Sequence, residues 1–263
     1  MIVAVVSPHT HNNGNTVASI LTAVGLANLK KKVFLSHTNP VSESFYTYLG
    51  LKKFEDKTST PTQLVKLIKQ DAIKSEDITD YCKSIIDNLD VFTNDKLNFN
   101  DDDMLTLMEC VLKVLPYDFA VIDVDTDGGE VADYVISKAD VIVLNVTQSY
   151  MELNKFNAMK EKLLKEYKDK IIILLCNQYC SIVGKDREVT EKLGVKTKCN
   201  VIHRNSWIQW ACNNGKIVDI LKNIKLKDYR VVELNSDINS IATSIIKAKA
   251  KIMQKQKALK NKR

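Results

Sequence analysis

A chain of 263 residues that is 45% hydrophobic and 27% charged, with 8 glycines and 4 prolines, has the composition of a globular protein able to bury a substantial core. Collagen-like, low-complexity and disordered classes are excluded, and the longest apolar runs, 1–6 and 171–176, fall far short of the roughly 18 residues of a membrane-spanning helix. The formal charge of +6 is localised: 8 of the 38 basic residues lie in 247–263 with no acid among them, leaving 30 basic against 32 acidic residues elsewhere.

The first residues pass directly into Ile-Val-Ala-Val-Val without a basic segment or a small-residue cleavage site, so a cytoplasmic protein is expected. Six scattered cysteines agree with that compartment and read as small apolar residues rather than a disulfide framework. The Cys176/Cys180 pair has no histidine near it in sequence, which argues against zinc.

Strand-like runs alternate with amphipathic segments, the pattern of an α/β protein with a mostly parallel sheet flanked by helices in three layers. The first strand is expected at 1–7. A polar turn at 8–15 precedes a helix carrying Val17, Ile20, Leu21, Val24 and Leu29 on one face. A second strand at 32–36 is followed by a polar segment, 38–62, then by helices near 61–70 and 78–88. A short strand at 89–93, a helix at 101–114 and a buried strand at 118–124 come next. The second half places helices at 130–137, 151–167, 186–193 and 206–214, and strands at 141–146, 170–176 and 200–202. A long last helix begins near Ser236, so the chain divides into a domain at 1–235 and a helical, basic extension at 236–263.

Ligands of open parallel sheets bind at the carboxyl ends of the strands, which directs attention to the turn after strand one. A phosphate loop of the form G-x-x-x-x-G-K-[ST] keeps only Gly14 and Thr16 here; Asn15 stands at the lysine position. An ordinary polar strand-to-helix turn is the plainer alternative.

The order of motifs along the chain resembles the ParA/MinD family of deviant-Walker P-loop ATPases, over nearly the whole length to about Ile220. The family's KGGVGKT loop corresponds to Thr10-His11-Asn12-Asn13-Gly14-Asn15-Thr16, so both of its lysine positions are neutral. Its Asp-x-Asp-Pro-Gln segment corresponds to Ser36-His37-Thr38-Asn39-Pro40, which keeps the proline and lacks the acids. Tyr117-Asp118-Phe119-Ala120-Val121-Ile122-Asp123 looks like the family's YDxxxxD strand, and Asp125-Thr126-Asp127-Gly128-Gly129 stands in the place of its switch II. Leu175-Cys176-Asn177-Gln178-Tyr179 resembles its Leu-Asn-Lys-Tyr-Asp element, and 201–205 with 211–216 resemble its closing segments. The CpaE/TadZ-like branch, which positions pilus or secretion machinery, is the nearest in pattern; partition proteins and MinD-like regulators share most of it.

The resemblance implies ATP and Mg²⁺ as cofactors. Gly14, Asn15, Thr16 and Asn177 would contact nucleotide, Thr16 and Asp123 would approach the metal, and Asp123 would be the catalytic acid. Phosphoryl transfer relies on positioning and charge stabilisation, and each lost donor costs on the order of 3 kcal/mol. The expectation is therefore an inactive or very weak ATPase with a degenerate loop. It would act as a positioning or assembly factor by homodimerisation and by docking a protein partner of a secretion, pilus, conjugation or partition system. The rival is an active partition-type ATPase in which Lys30, Lys31 or Lys185 enters the site.

His9 and His11 read as loop residues, Asp101-Asp102-Asp103 as a helix start, and Trp207 and Trp210 as core. Ile241, Ile245, Ala248 and Ile252 mark the apolar stripe of the last helix. The lysines beyond it fit a solvated helix end, a contact with an anionic membrane surface, or contact with DNA phosphates at the nucleoid.

Overall fold

In a computed structural model the chain forms one eight-stranded sheet with helices on both faces. The structure describes residues 1–8, 14–39, 44–51, 60–93, 100–113, 116–125, 129–149, 151, 154–156, 170–178, 191, 199–203, 206–222 and 229–260. The strands are β1 (Ile2–Val6), β2 (Val33–His37), β3 (Lys83–Ile86), β4 (Leu89–Val91), β5 (Phe119–Asp123), β6 (Val141–Thr147), β7 (Ile171–Gln178) and β8 (Asn200–His203). They lie in the order β3-β4-β2-β5-β1-β6-β7-β8, and every pairing but β3–β4 is parallel.

Side-chain alternation along the strands feeds two cores. Val3, Val5, Leu35, Val121 and Val143 face one side, where α1 (Asn15–Asn28), α2 (Ser44–Leu49), α6 (Ser206–Asn213), α7 (Ile217–Lys222) and the long α8 (Tyr229–Lys260) pack. Ala4, Val6, Phe34, Ile122 and Ile142 face the other side, against α3 (Pro61–Lys69), α4 (Asp101–Val111) and α5 (Gly129–Lys138). Burial on both faces explains the near-continuous apolar runs of β1 and β6.

Helix α1 lies over the middle of the sheet and meets α8 at Gly25, where an added Cβ would sit 2.5 Å from the Ile238 carbonyl oxygen. The missing side chain lets the two helices approach closely. From Ile238 to Ala248 the stripe of α8 is buried, and Ile252 packs on its margin. Asp237 near the start of α8 accepts from the His203 backbone N–H at 2.8 Å, while Lys249 bonds the Asp118 carbonyl oxygen at 3.3 Å and stands over the Phe119 ring. The helix thus crosses the sheet diagonally, from the carboxyl end of β8 to the amino end of β5.

Several expectations are corrected. The helix expected at 78–88 is a 3₁₀ turn, Ser75–Tyr81, followed by the β3–β4 hairpin, whose tip holds Asn88 at φ 66°. The polar segment 38–62 contains α2, and α7 was not expected. The last helix starts at Tyr229 instead of Ser236. Trp210 is 48% exposed and is not core, whereas Trp207, on which it stacks with ring centroids 4.7 Å apart, is half-buried and packs against the core. Most of 151–167 and of 186–193, together with His9, His11, Cys180 and Lys185, lies outside the described residues. The three-aspartate run opens α4 as expected, with Asn100 as the cap accepting from the Asp103 N–H.

Candidate nucleotide site at the carboxyl rim

The carboxyl ends of β1, β2 and β5 converge on the first turn of α1. Gly14 occupies the left-handed region at φ 71°, a conformation that glycine adopts without a Cβ penalty, and it turns the chain into the helix. Its carbonyl accepts the first helical bond, from Ala18 N–H at 2.9 Å.

Asn15 then points back into the sheet. Its Nδ2 donates to Asp123 Oδ1 at 2.7 Å and to the Val5 carbonyl at 3.0 Å, with the Val124 carbonyl at 3.3 Å. Val5 and Asp123 are partners in the β1–β5 register, so one amide bridges the ends of two adjacent strands. Ser19, one helical turn beyond Asn15, places its hydroxyl 3.2 Å from the same Asp123 oxygen and 3.0 Å from the Asn15 carbonyl. The Thr16 hydroxyl also bonds the Asp123 carboxylate.

Burial is the largest influence on Asp123 and pushes its carboxyl up to about 6; the Thr16, Ser19 and Asn15 bonds oppose the rise and neighbouring Asp125 adds to it. A second layer of polar contacts joins β2 to β5. The Thr38 N–H donates to the Asp123 carbonyl at 3.0 Å, Asp125 N–H to the Thr38 hydroxyl at 2.8 Å, and Asn39 Nδ2 to Asp125 Oδ2 at 2.6 Å. His37, paired in register with Asp123, is 4% exposed; its Nε2 meets the Thr93 hydroxyl at 3.0 Å and its ring stands edge-on to Phe45. Burial pulls its pKa down to about 4, so the ring is neutral at pH 7.

Gly14, Asn15, Thr16 and Asp123 are therefore assembled in one place. Asn177 lies on β7, two strands from β1 at the same rim, with its side chain outside the described residues. Lys30 and Lys31 follow the far end of α1, about 21 Å from Asn15 at 1.5 Å per residue, so neither supplies the missing ammonium. Lys185 lies outside the described residues. Sequence reasoning missed Ser19, Thr38 and Asn39; the spacing of Ser19 four residues after Asn15 was the available signal.

Thr16 and Asp123 have the oxygen chemistry for a hard cation, and a helix start opened by glycine suits a phosphate. The described residues of the cradle supply no ammonium, and Asp123 Oδ1 is already engaged by Asn15 and Ser19. Weak binding fits these residues; stabilisation of a transferring phosphoryl group does not. Among the described residues there is no cluster of three or more potential metal ligands, and no helix is long and apolar enough to cross a membrane.

No known family's sequence profile matches the chain, and none of the curated proteins matches it either. Solved structures do resemble it. A ParA family ATPase from Chlorobium tepidum superposes with a TM-score of 0.69 at 17% identity, covering 92% of this chain and 97% of that one. The septum site-determining protein MinD of Pyrococcus horikoshii, complexed with Mg-ADP, gives 0.67 at 16% identity, covering 91% and 95%. A plasmid partition protein of Borrelia burgdorferi bound to AMPPNP gives 0.64 at 14%, covering 92% and 98%. The chain shares the fold of these P-loop NTPases along almost its full length.

Proposed function

We propose that the chain is a ParA/MinD-type positioning or assembly factor whose nucleotide site has lost its catalytic competence. The observation that carries this reading is the Asn15 amide bonded to Asp123 Oδ1. At the place where the resemblance puts a phosphate-binding lysine, a neutral side chain is turned inward and occupies the acid that would approach the metal. With Thr10 neutral as well, two cationic donors are lost. At on the order of 3 kcal/mol each, they account for about a ten-thousandfold loss of turnover.

In this reading ATP–Mg²⁺ binds weakly, through the backbone at Gly14 and Asn15, the Thr16 hydroxyl and Asp123, with Asn177 toward the base. When bound, the group would supply a metal-linked triphosphate that stabilises the loop and a dimer contact. The chain's own residues supply position and no acid–base step. The protein works in the cytoplasm as a homodimer that docks a protein of a secretion or pilus, conjugation or partition system. The CpaE/TadZ-like branch suits this role best. The exposed lysines of α8 beyond Ala248 offer a contact with DNA or with an anionic membrane surface.

Turnover and binding are tested together on the purified full chain. The expected result is phosphate release at background, with a melting-temperature rise only at millimolar ATP–Mg²⁺. Hydrolysis above background that an Asp123→Asn variant abolishes would replace this reading with the active partition-type ATPase.

A further inference from the structure

The segments that leave β2 and β5 at the carboxyl rim are joined by groups of the chain itself. Consecutive residues of the first segment each hold a different part of the wall. His37 Nε2 meets the hydroxyl of Thr93, just past β4, and its ring stands edge-on to Phe45 at the start of α2. Thr38 is bonded twice to the β5 side: its N–H donates to the Asp123 carbonyl at 3.0 Å, and its hydroxyl accepts from the Asp125 N–H at 2.8 Å. Asn39 Nδ2 then donates to Asp125 Oδ2 at 2.6 Å.

Much of this wall is out of water. His37, Thr38, Phe45 and Thr93 are all buried, and hydrogen bonds there face little competition from solvent. Helix α2 is fixed again at its far end. Gly50 and Gly215 both adopt left-handed φ, 61° and 63°, and a Cβ on Gly50 would collide with the Gly215 carbonyl oxygen, so the backbones that follow α2 and α6 meet directly. Loops that rearrange when a ligand arrives come from the least stable parts of a fold, with few buried contacts and exposed backbone bonds. The path from β2 into α2 has the opposite character.

Both acids at the end of β5 are engaged in the same manner. Asn15 Nδ2 bonds Asp123 Oδ1, and Asn39 Nδ2 bonds Asp125 Oδ2. A neutral amide set on a carboxylate thus recurs on either side of the strand end, once from α1 and once from the β2 side.

We propose that Thr38, Asn39 and Asp125 form a built-in catch that fixes the rim in one arrangement, so that the face offered to a partner is set by the chain and not by nucleotide. The inference rests on the positioning-factor reading and names its regulation: docking answers to the amounts of protein and partner, not to an ATP cycle. A nucleotide shifts a conformation only by binding two arrangements with different affinity. Here the groups that would have to part are bonded to one another.

Hydrogen exchange on the full chain, resolved to single amides, tests the catch because the Thr38 and Asp125 N–H groups belong to it. The Val124 N–H, bonded to the Val5 carbonyl at 3.0 Å, is the reference. The expected result is protection of the Thr38 and Asp125 amides that is unchanged by 5 mM ATP–Mg²⁺. Thr38→Val, which removes the acceptor, speeds exchange at Asp125 on the order of tenfold and leaves Val124 slow. Thr38→Ser, which keeps the hydroxyl, leaves Asp125 slow as well. Asn39→Ala speeds exchange at Asp125 severalfold, again without Val124. Protection in the parent protein that rises tenfold with ATP–Mg²⁺ overturns the proposal. So does exchange at Asp125 that neither Thr38→Val nor Asn39→Ala alters, or that speeds only together with Val124. Phosphate release from the same samples separates the two readings. Hydrolysis above background with nucleotide-independent protection removes the positioning-factor reading and leaves the catch, whereas nucleotide-dependent protection with background release removes the catch alone.

Discussion

Asn15 and Asp123, 108 residues apart, meet at 2.7 Å across the ends of β1 and β5. The amide satisfies a carboxylate and two backbone carbonyls at once, so it functions as a structural clasp between the strand ends.

Removing the clasp should be costly. Asn15→Ala leaves enclosed acceptors without their donor, and a loss of about 2 kcal/mol of unfolding free energy is expected from denaturant titration. Asn15→Lys should behave differently. An ammonium beside Asp123 draws its titration down from about 6, and ADP–Mg²⁺ should then raise the melting temperature more than it does in the parent protein. Phosphate release should remain at background because Thr10 is unchanged.

The paired registers of His37 and Asp123 predict an offset in pH dependence. Asp123 titrates near 6 when folded against an ordinary 3.8, so the folded state holds the extra proton between those values and its contribution to stability falls as pH rises through the window. His37 titrates near 4 against an ordinary 6.5. The unfolded state holds that extra proton, and its contribution is present above 6.5 and lost as pH falls toward 4. The two slopes oppose each other, each amounting to on the order of 3 kcal/mol. Relative to the parent protein, His37→Gln should gain stability on acidification from pH 6.5 to 4.5, and Asp123→Asn should lose it. Denaturant midpoints at three pH values measure this; parallel profiles for both variants would refute it.

Gly25→Ala tests the α1–α8 crossing. The new methyl would meet the Ile238 carbonyl and side chain at 2.5 and 2.6 Å, and backbone cannot yield cheaply. A destabilisation of about 2–3 kcal/mol is expected, with faster amide exchange in both helices.

Deletion of 253–263 should be thermodynamically quiet. Met253 is 50% and Leu259 65% exposed, whereas Ile245 and Ala248 are buried. A change within about 0.5 kcal/mol is expected, together with loss of any salt-sensitive adsorption to DNA or anionic vesicles. Loss of folding would show that the outer turns carry core contacts.

Most of this fold could be read from strand hydrophobicity: β1, β5 and β6 are buried on both faces and announce themselves. The segment 78–88 misled because Ile78, Cys82, Ile85 and Leu89 recur at helical intervals while also alternating well enough for short strands. Long-range pairing of Leu89 with Val33 decides between the two, and no local pattern encodes it. Helix α2 was obscured by its aromatic, strand-prone composition, Ser44-Phe45-Tyr46-Thr47-Tyr48-Leu49. At the site, the glycine turn, Thr16 and the terminal aspartate of β5 were legible as a motif. The inward direction of Asn15 was not, because it depends on carbonyls that only folding brings within reach.

The diagonal course of α8 has a consequence for orientation. It carries the lysine-rich end of the chain to the amino edge of the sheet, the pole farthest from Gly14 and Asp123. Held to a polyanion by that end, the molecule would be moored with its candidate nucleotide site facing away from the surface, toward whatever approaches from solution.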